Sequence, residues 1–317
     1  MKAGNHELII ALTAVAVALA LPFIVVDYRI FQLTMVMIYA IALLGLNILT
    51  GYNGQISLGH GAFYAIGAYT AAIMMDKANA PYWSTLPVAG LICLVVGFLF
   101  GLPALRLAGH HLALATLALA VALPQLLKYK HLEEWTGGVQ GINLLKPDAP
   151  FGLKLSQDQW LYLFTLLVVV IMFVLARNLI RSRVGRALIA IRDHPVAAEA
   201  MGVNNAMYKS LTFGVSALYT GVAGALSAIA VQFVAPDSFP LTISFFFLVG
   251  IVVGGVASIW GPLFGGFFIQ FAPNLADHLS KDLTGAVYGV FLLLFASVMP
   301  TGVVGFIRKI AARNAAR

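Results

Sequence analysis

The stretch FQLTMVMIYAIALLGLNILTGYNGQISLGHGAFYAIGAY, residues 31–69, decides the fold. Its first twenty residues carry no charge and are mostly apolar, about the length a helix needs to cross a hydrocarbon layer of about 30 Å. An uncharged polar interval follows, with Asn53, Gln55, Ser57 and His60 set among Gly51, Gly54, Gly59 and Gly61, and then the apolar character returns. Each glycine weakens a helix by roughly 1 kcal/mol relative to alanine, so four so close together predict a break between two helices. Two readings of the break follow. A helix restarting near Ser57 at membrane depth presents free N–H groups and a positive dipole end to a solute, with the four polar residues beside it. Alternatively the stretch is a turn at the membrane edge, where Asn53 or Ser57 caps the next helix and His60 packs in its first turn.

The rest of the chain has the same character. Of 317 residues, 61% are hydrophobic and 10% charged, against roughly 25% charged in a soluble domain. Apolar windows near 8–26, 31–50, 57–75, 86–105, 111–128, 159–178, 210–235, 243–260, 263–280 and 285–300 predict an all-α polytopic bundle of about ten spans. The first is read as a retained helix, because its run to Val26 is too long for a cleaved signal. Pro273, Asn274, Asp277 and His278 predict that the ninth is a half-helix. Five spans in each half, starting on opposite sides, are compatible with an inverted repeat.

Charge placement sets the orientation. With residues 179–209 and both termini on the cytoplasmic side, twelve basic residues stand against three acidic ones inside, and seven against nine outside. The net charge of +7 is therefore read as membrane topology and not as a nucleic-acid surface, since no aromatic-interleaved basic patch exists. The long loop 129–158 falls outside, where it either meets a partner or caps the bundle. The domain is single, 1–317.

No Asp, Glu, Lys or Arg lies near the middle of a span, which argues against a proton-driven carrier, because buried ionisable groups in a bilayer are costly and kept for function. HExxH, GxSxG and GxxxxGK[ST] motifs are all missing, so neither hydrolysis nor nucleotide binding is expected of this chain. Adjacent His110 and His111 point about 100° apart on a helix and cannot converge on one metal. Cys93 is the lone cysteine and reads as a small core residue. Energy for uphill transport must come from another chain. The connection is expected in the basic-flanked segment 181–210, where Asp193 or His194 is an N-cap, Pro195 lies in the first turn and Gly202 is the stop. A two-turn helix is marginal alone. Its face of Val196, Ala197, Ala200 and Met201 is expected to dock, leaving Glu199 to a polar partner. Gly97 with Gly101, Gly250 with Gly254, Gly261 with Gly265 and Gly285 with Gly289 are small pairs that permit close helix packing.

Four segments, GYNGQISLGHGAFYAIGAY (51–69), LPALRLAGHHLALATLALA (102–120), GRALIAIRDHPVAAEAMGV (185–203) and VGGVASIWGPLFGG (253–266), carry a family resemblance. They resemble the LivM-type permease subunit of bacterial ABC importers for branched-chain amino acids, over about residues 30–305. The resemblance implies a multi-pass inner (plasma) membrane subunit, not an enzyme, that forms half of a translocation pathway. It implies a second LivH-like permease, two ATPase subunits that use ATP, a periplasmic substrate-binding protein and surrounding lipid, with no cofactor on this chain and no nucleic acid. Ala198, Glu199 and Ala200 with Gly202 resemble the EAA loop that couples to the ATPase, although the glycine follows more closely than usual and no Ile-x-Leu-Pro ending is present. The coupling site is thus Asp193, His194, Pro195, Ala198, Glu199, Ala200 and Gly202, and the substrate-pathway candidates are Asn53, Gln55, Ser57 and His60. Rival readings are an ABC permease for urea or short amides, a stand-alone channel or secondary transporter, and an intramembrane enzyme using His60 or His110.

Overall fold

The apolar run after Val26 forms one long helix, α2 (Asp27–Asn47), which runs on into a widened turn, Ile48–Tyr52. A computed structural model describes residues 13–104, 110–152, 154–279 and 301–315, with residues 289, 290, 292, 295, 297 and 299. Before α2 lies the short α1 (Thr13–Phe23). After it come α3 (His60–Lys77), α4 (Tyr82–Ala104), α5 (His110–Leu127), α6 (Glu133–Thr136), α7 (Gln157–Arg181), α8 (Arg183–Asp193), α9 (Pro195–Ala200), α10 (Asn205–Val231), α11 (Leu241–Gly254) and α12 (Gly261–Leu279). A C-terminal helix spans Gly302–Ala315.

Each of the first nine apolar windows holds a helix, whereas the tenth, 285–300, lies largely outside the described residues, as do Arg106 and the two chain ends. By length and composition, five described helices suffice to cross a membrane. A sixth is added if His111–Leu127 and Lys130–Thr136, bent by 67°, form one span. The ninth window holds an unbroken helix, although it is not one of the five apolar enough to cross. α12 continues through Pro273 for 19 residues. α11 has 14 residues, is one of the five when the turn from Pro236 is included, and ends at Gly255, φ +118°. One missing amide in α12 costs a single backbone bond, while the 255–260 loop must turn back at once.

α2 and α10 are the most enclosed helices; α10 packs on α4, α3 and α2, and α2 on α12 and α7. Lipid tails are as apolar as leucine, so close contact between small residues, and not oiliness, selects the helix pairs. At Gly67 an added Cβ would stand 2.0 Å from the Gly221 carbonyl oxygen, and at Gly224 1.9 Å from that of Tyr64. Gly224→Val is therefore expected to wedge α3 from α10 at a cost of about 1–3 kcal/mol or more, read as a lower melting temperature in detergent. Three of the four small pairs also serve close approach. Gly97 and Gly101 face α10, and Gly250 and Gly254 interlock with Gly265 and Gly261 across the α11–α12 turn. Gly289 has none of the described residues against it, and Gly285 lies outside them.

The 129–158 loop is fastened to the bundle. Its two-residue strand β1 (Ile142–Asn143) pairs antiparallel with β2 (Phe233–Val234), Ile142 opposite Val234, just past the end of α10. These strands are the one departure from all-α among the described residues. At the same end Lys128 pairs with Asp237 at 2.6 Å and Lys146 with Asp158 at 2.5 Å. Ser156 caps α7 in a reciprocal capping box with Gln159, whose amide also donates to the Pro22 carbonyl at 2.9 Å.

Candidate functional site

Between the widened turn of α2 and the start of α3 the chain leaves the helical conformation. Burial alternates along it, with Asn53, Gln55, Ser57 and Gly59 buried while Gly54 and Ile56 are exposed and Leu58 half-buried. Such a period of two gives the segment one enclosed edge and one open edge. All four pathway candidates thus face into the protein, and Ile56, 48% exposed, faces out. Gly54 makes the reversal possible at φ +75°.

The segment climbs back along the bundle, because His60 meets the level of Gly45, seven residues or about 10 Å before the widened turn ends at Tyr52. Ser216 of α10 makes this link. Its Oγ donates to the Gly45 carbonyl at 2.6 Å and lies 2.6 Å from His60 Nε2, while His60 Nδ1 lies 3.0 Å from Ser57 Oγ. The Ser216 proton is committed to Gly45, so Nε2 carries the imidazole proton and Nδ1 accepts from Ser57; these proton positions follow from the network. Ser57 Oγ in turn accepts the Gly59 N–H at 3.3 Å. The ring sits edge-on to Phe63 at 6.0 Å, and Phe63 packs on Phe213 at 5.9 Å. Cys93, buried as expected, approaches the Phe63 carbonyl at 3.5 Å.

The open N–H groups at the start of α3 are also taken. Leu58 N–H donates to Thr116 Oγ1 of α5 at 2.9 Å, and Gly61 N–H to Ser244 Oγ of α11 at 3.0 Å. Gln55 donates to the Lys209 carbonyl at 3.4 Å, and Thr50 to the Gln55 carbonyl at 2.9 Å. Asn53 differs: it is 2% exposed, yet neither side-chain amide atom has a hydrogen-bond partner among the described residues. Sequence reasoning assigned no role to Thr116, Ser216 or Ser244; their only signal was a hydroxyl within an apolar helix. Asn47, the last residue of α2, clamps the α11–α12 turn through the Ser258 carbonyl at 2.7 Å and the Ala257 N–H at 2.9 Å.

The coupling candidates lie at the same end of the bundle as the break, joined to it by α8. α8 starts at Ser182, whose Oγ accepts the Val184 N–H at 3.1 Å, and it buries Gly185, Leu188 and Ile191. Asp193 is its last residue, His194 separates it from α9, Pro195 opens α9, and Gly202 follows the helix at φ +85°. Of α9 only Ala198 is buried; Ala197, Glu199 and Ala200 are exposed, and Val196 and Met201 are 81% and 85% exposed. Asn205 donates to the Pro195 carbonyl at 2.8 Å and to Glu199 Oε2 at 3.4 Å. A hydrogen bond from Arg192 holds the Asp193 carboxyl below its usual range.

Nothing among the described residues gathers three or more His, Cys, Asp or Glu side chains as a metal site would require. The fold and the break define a multi-pass helical membrane protein with a non-helical segment that buries one edge in the bundle. A family model described as branched-chain amino acid transport system, permease component, matches residues 28–296. The chain is 33% identical over 301 residues to the high-affinity branched-chain amino acid transport system permease protein LivM of Salmonella typhimurium, covering 88% of this chain and 70% of that protein. LivM of Escherichia coli is equally similar, 33% over 300 residues, with 87% and 70% covered. LivH of Salmonella typhimurium is 27% identical over 289 residues, with 84% and 91% covered. No solved structure matches. The chain belongs to the branched-chain amino acid transport permease family.

Proposed function

We propose that this chain is one of two permease subunits of a bacterial ABC importer for branched-chain amino acids. It forms half of the pathway through the inner membrane and works with a LivH-like permease, two ATPases and a periplasmic binding protein. The α8–α9 end faces the cytoplasm, the β1–β2 end faces the periplasm, and the ten windows form the spans. α9 is the coupling helix. The observation that carries the reading is the exposure of Val196 and Met201 on a two-turn helix at the basic end of a membrane bundle. An apolar face in that position needs a protein partner.

The non-helical segment 53–59 borders the pathway. Non-helical backbone at membrane depth must be enclosed by protein or line water, and the Gly54 and Ile56 edge is open in this subunit. Gln55, Ser57 and His60 hold the segment in place by the bonds they make. Asn53 is assigned to the solute path, since a motion of the break that admits water or solute satisfies an amide otherwise left unpaired. Selectivity then rests chiefly with the binding protein, in keeping with a neutral lining. The test is leucine uptake into proteoliposomes holding the complete complex, which should require ATP and the binding protein. Gradient-driven uptake by this polypeptide alone would overturn the reading.

A further inference from the structure

We propose that Arg192 is the positioning residue that carries movement of α9 to the break between α2 and α3, an inference that rests on the coupling role proposed for α9. Arg192 lies in the last turn of α8, and one residue, His194, separates α8 from α9. Its Nε donates to Asp193 Oδ1 at 2.8 Å, and its Nη1 donates to the Gly51 carbonyl, 141 residues away, at 2.8 Å. Its aliphatic stem covers Gly54, where an added Cβ would come within 2.9 Å of Arg192 Cγ. One side chain therefore touches both the elbow leading to the docking helix and the two glycines that open the break.

The point it grips is fixed on its other side. A Cβ at Gly51 would meet Asn47 Oδ1 at 2.3 Å and the Ala257 nitrogen at 2.6 Å. Asn47 itself holds the α11–α12 turn through Ala257 and Ser258. A pull on the Gly51 carbonyl thus acts on the widened turn of α2, which leaves backbone acceptors outside the regular i−4 ladder and is a natural place to yield. The non-helical segment that ends at His60 begins two residues later. α8 can work as a lever because Gly185, Leu188 and Ile191 seat it in the bundle while α9 stands clear. The planar guanidinium makes both bonds at once; a lysine ammonium at the end of a flexible stem reaches one acceptor or the other.

The experiment uses the complete importer in proteoliposomes with Arg192→Lys and Arg192→Ala, and measures complex assembly, ATP hydrolysis and solute uptake. A fluorophore on Ile56→Cys, at a site 48% exposed, reports the break; the one native cysteine, Cys93, is buried. Both variants are expected to assemble and to hydrolyse ATP within about twofold of the parent, while uptake per ATP falls about tenfold, within the range of ordinary inter-site coupling. The ATP-dependent signal at position 56 should fall with it. Parental uptake per ATP and an unchanged signal in both variants would overturn the proposal. Loss of assembly together with hydrolysis and uptake in both would also overturn it, by making Arg192 a folding residue. A parallel deletion of residues 195–201 separates the two ideas. If that deletion assembles and transports normally, the coupling role of α9 falls; if it does not, and Arg192 proves dispensable, only the transmission role falls.

Discussion

Deleting residues 195–201 is expected to abolish ATP-driven uptake while the chain still inserts and folds. The deletion removes almost nothing that the bundle buries, since Ala198 is the one enclosed side chain in α9. What it removes is an apolar face turned outward, Val196 and Met201 above all, with Ala197 and Ala200 beside them. Six residues do not sustain a helix in water, so α9 is held by its caps and by Asn205 until a partner covers it. A finer form of the test is the pair Val196→Asp and Met201→Asp. Burying each apolar side chain contributes roughly 1.5–3 kcal/mol, and 1.4 kcal/mol is tenfold in affinity. The double variant should therefore weaken ATPase capture on the order of a hundredfold or more, measured by co-purification, and uptake should fall with it. Glu199→Lys should act in the same direction, because its carboxylate is exposed and held only by a 3.4 Å contact from Asn205. Normal ATPase assembly and uptake in the deletion would take the coupling role away from this helix.

Much of this arrangement could be read from the residues, where the signal was local. The apolar windows located nine helices, and Pro195 with Gly202 bounded α9 to within a residue or two. The break was legible in its glycines, but its geometry was not drawn from them, although the alternation of Asn53, Gln55 and Ser57 with Gly54, Ile56 and Leu58 already had the period of a strand. α8 escaped notice because its arginines dominate a segment read as a loop, while Gly185, Leu188 and Ile191 supply only a narrow buried stripe. The ninth window was legible only in part: polar residues near Pro273 do not stop α12, though it is not one of the five helices apolar enough to cross, whereas Gly255, at positive φ, stops α11. Contacts between distant positions had no local signal at all. His60 meets Ser216 across 156 residues and Arg192 meets Gly51 across 141. A hydroxyl in an apolar helix says only that some partner exists, and the fold chooses which.

His60 and Asn53 should respond to truncation in opposite ways, although they lie seven residues apart in the same polar stretch. His60→Ala removes a fully buried ring that joins Ser57 to Ser216 and packs on Phe63. It leaves a hydroxyl on each side short of a partner and a cavity between α3 and α10. The unpaired groups cost about 1–3 kcal/mol and the lost ring a similar amount or more, a large share of the roughly 5–15 kcal/mol that holds a typical protein folded. Melting in detergent should fall by roughly 5–10 °C, and uptake should fall with the amount of folded protein. His60→Gln, which can place an amide donor near Ser216, should recover part of both. Asn53→Ala deletes an amide that has no partner among the described residues, so melting should be unchanged or slightly higher. Uptake per folded complex should nevertheless decline, because the group assigned to the solute path is gone. If Asn53→Ala transports like the parent, Asn53 has no part in the pathway. If His60→Ala keeps the parental melting temperature and loses only transport, the histidine acts on the solute and not on the fold.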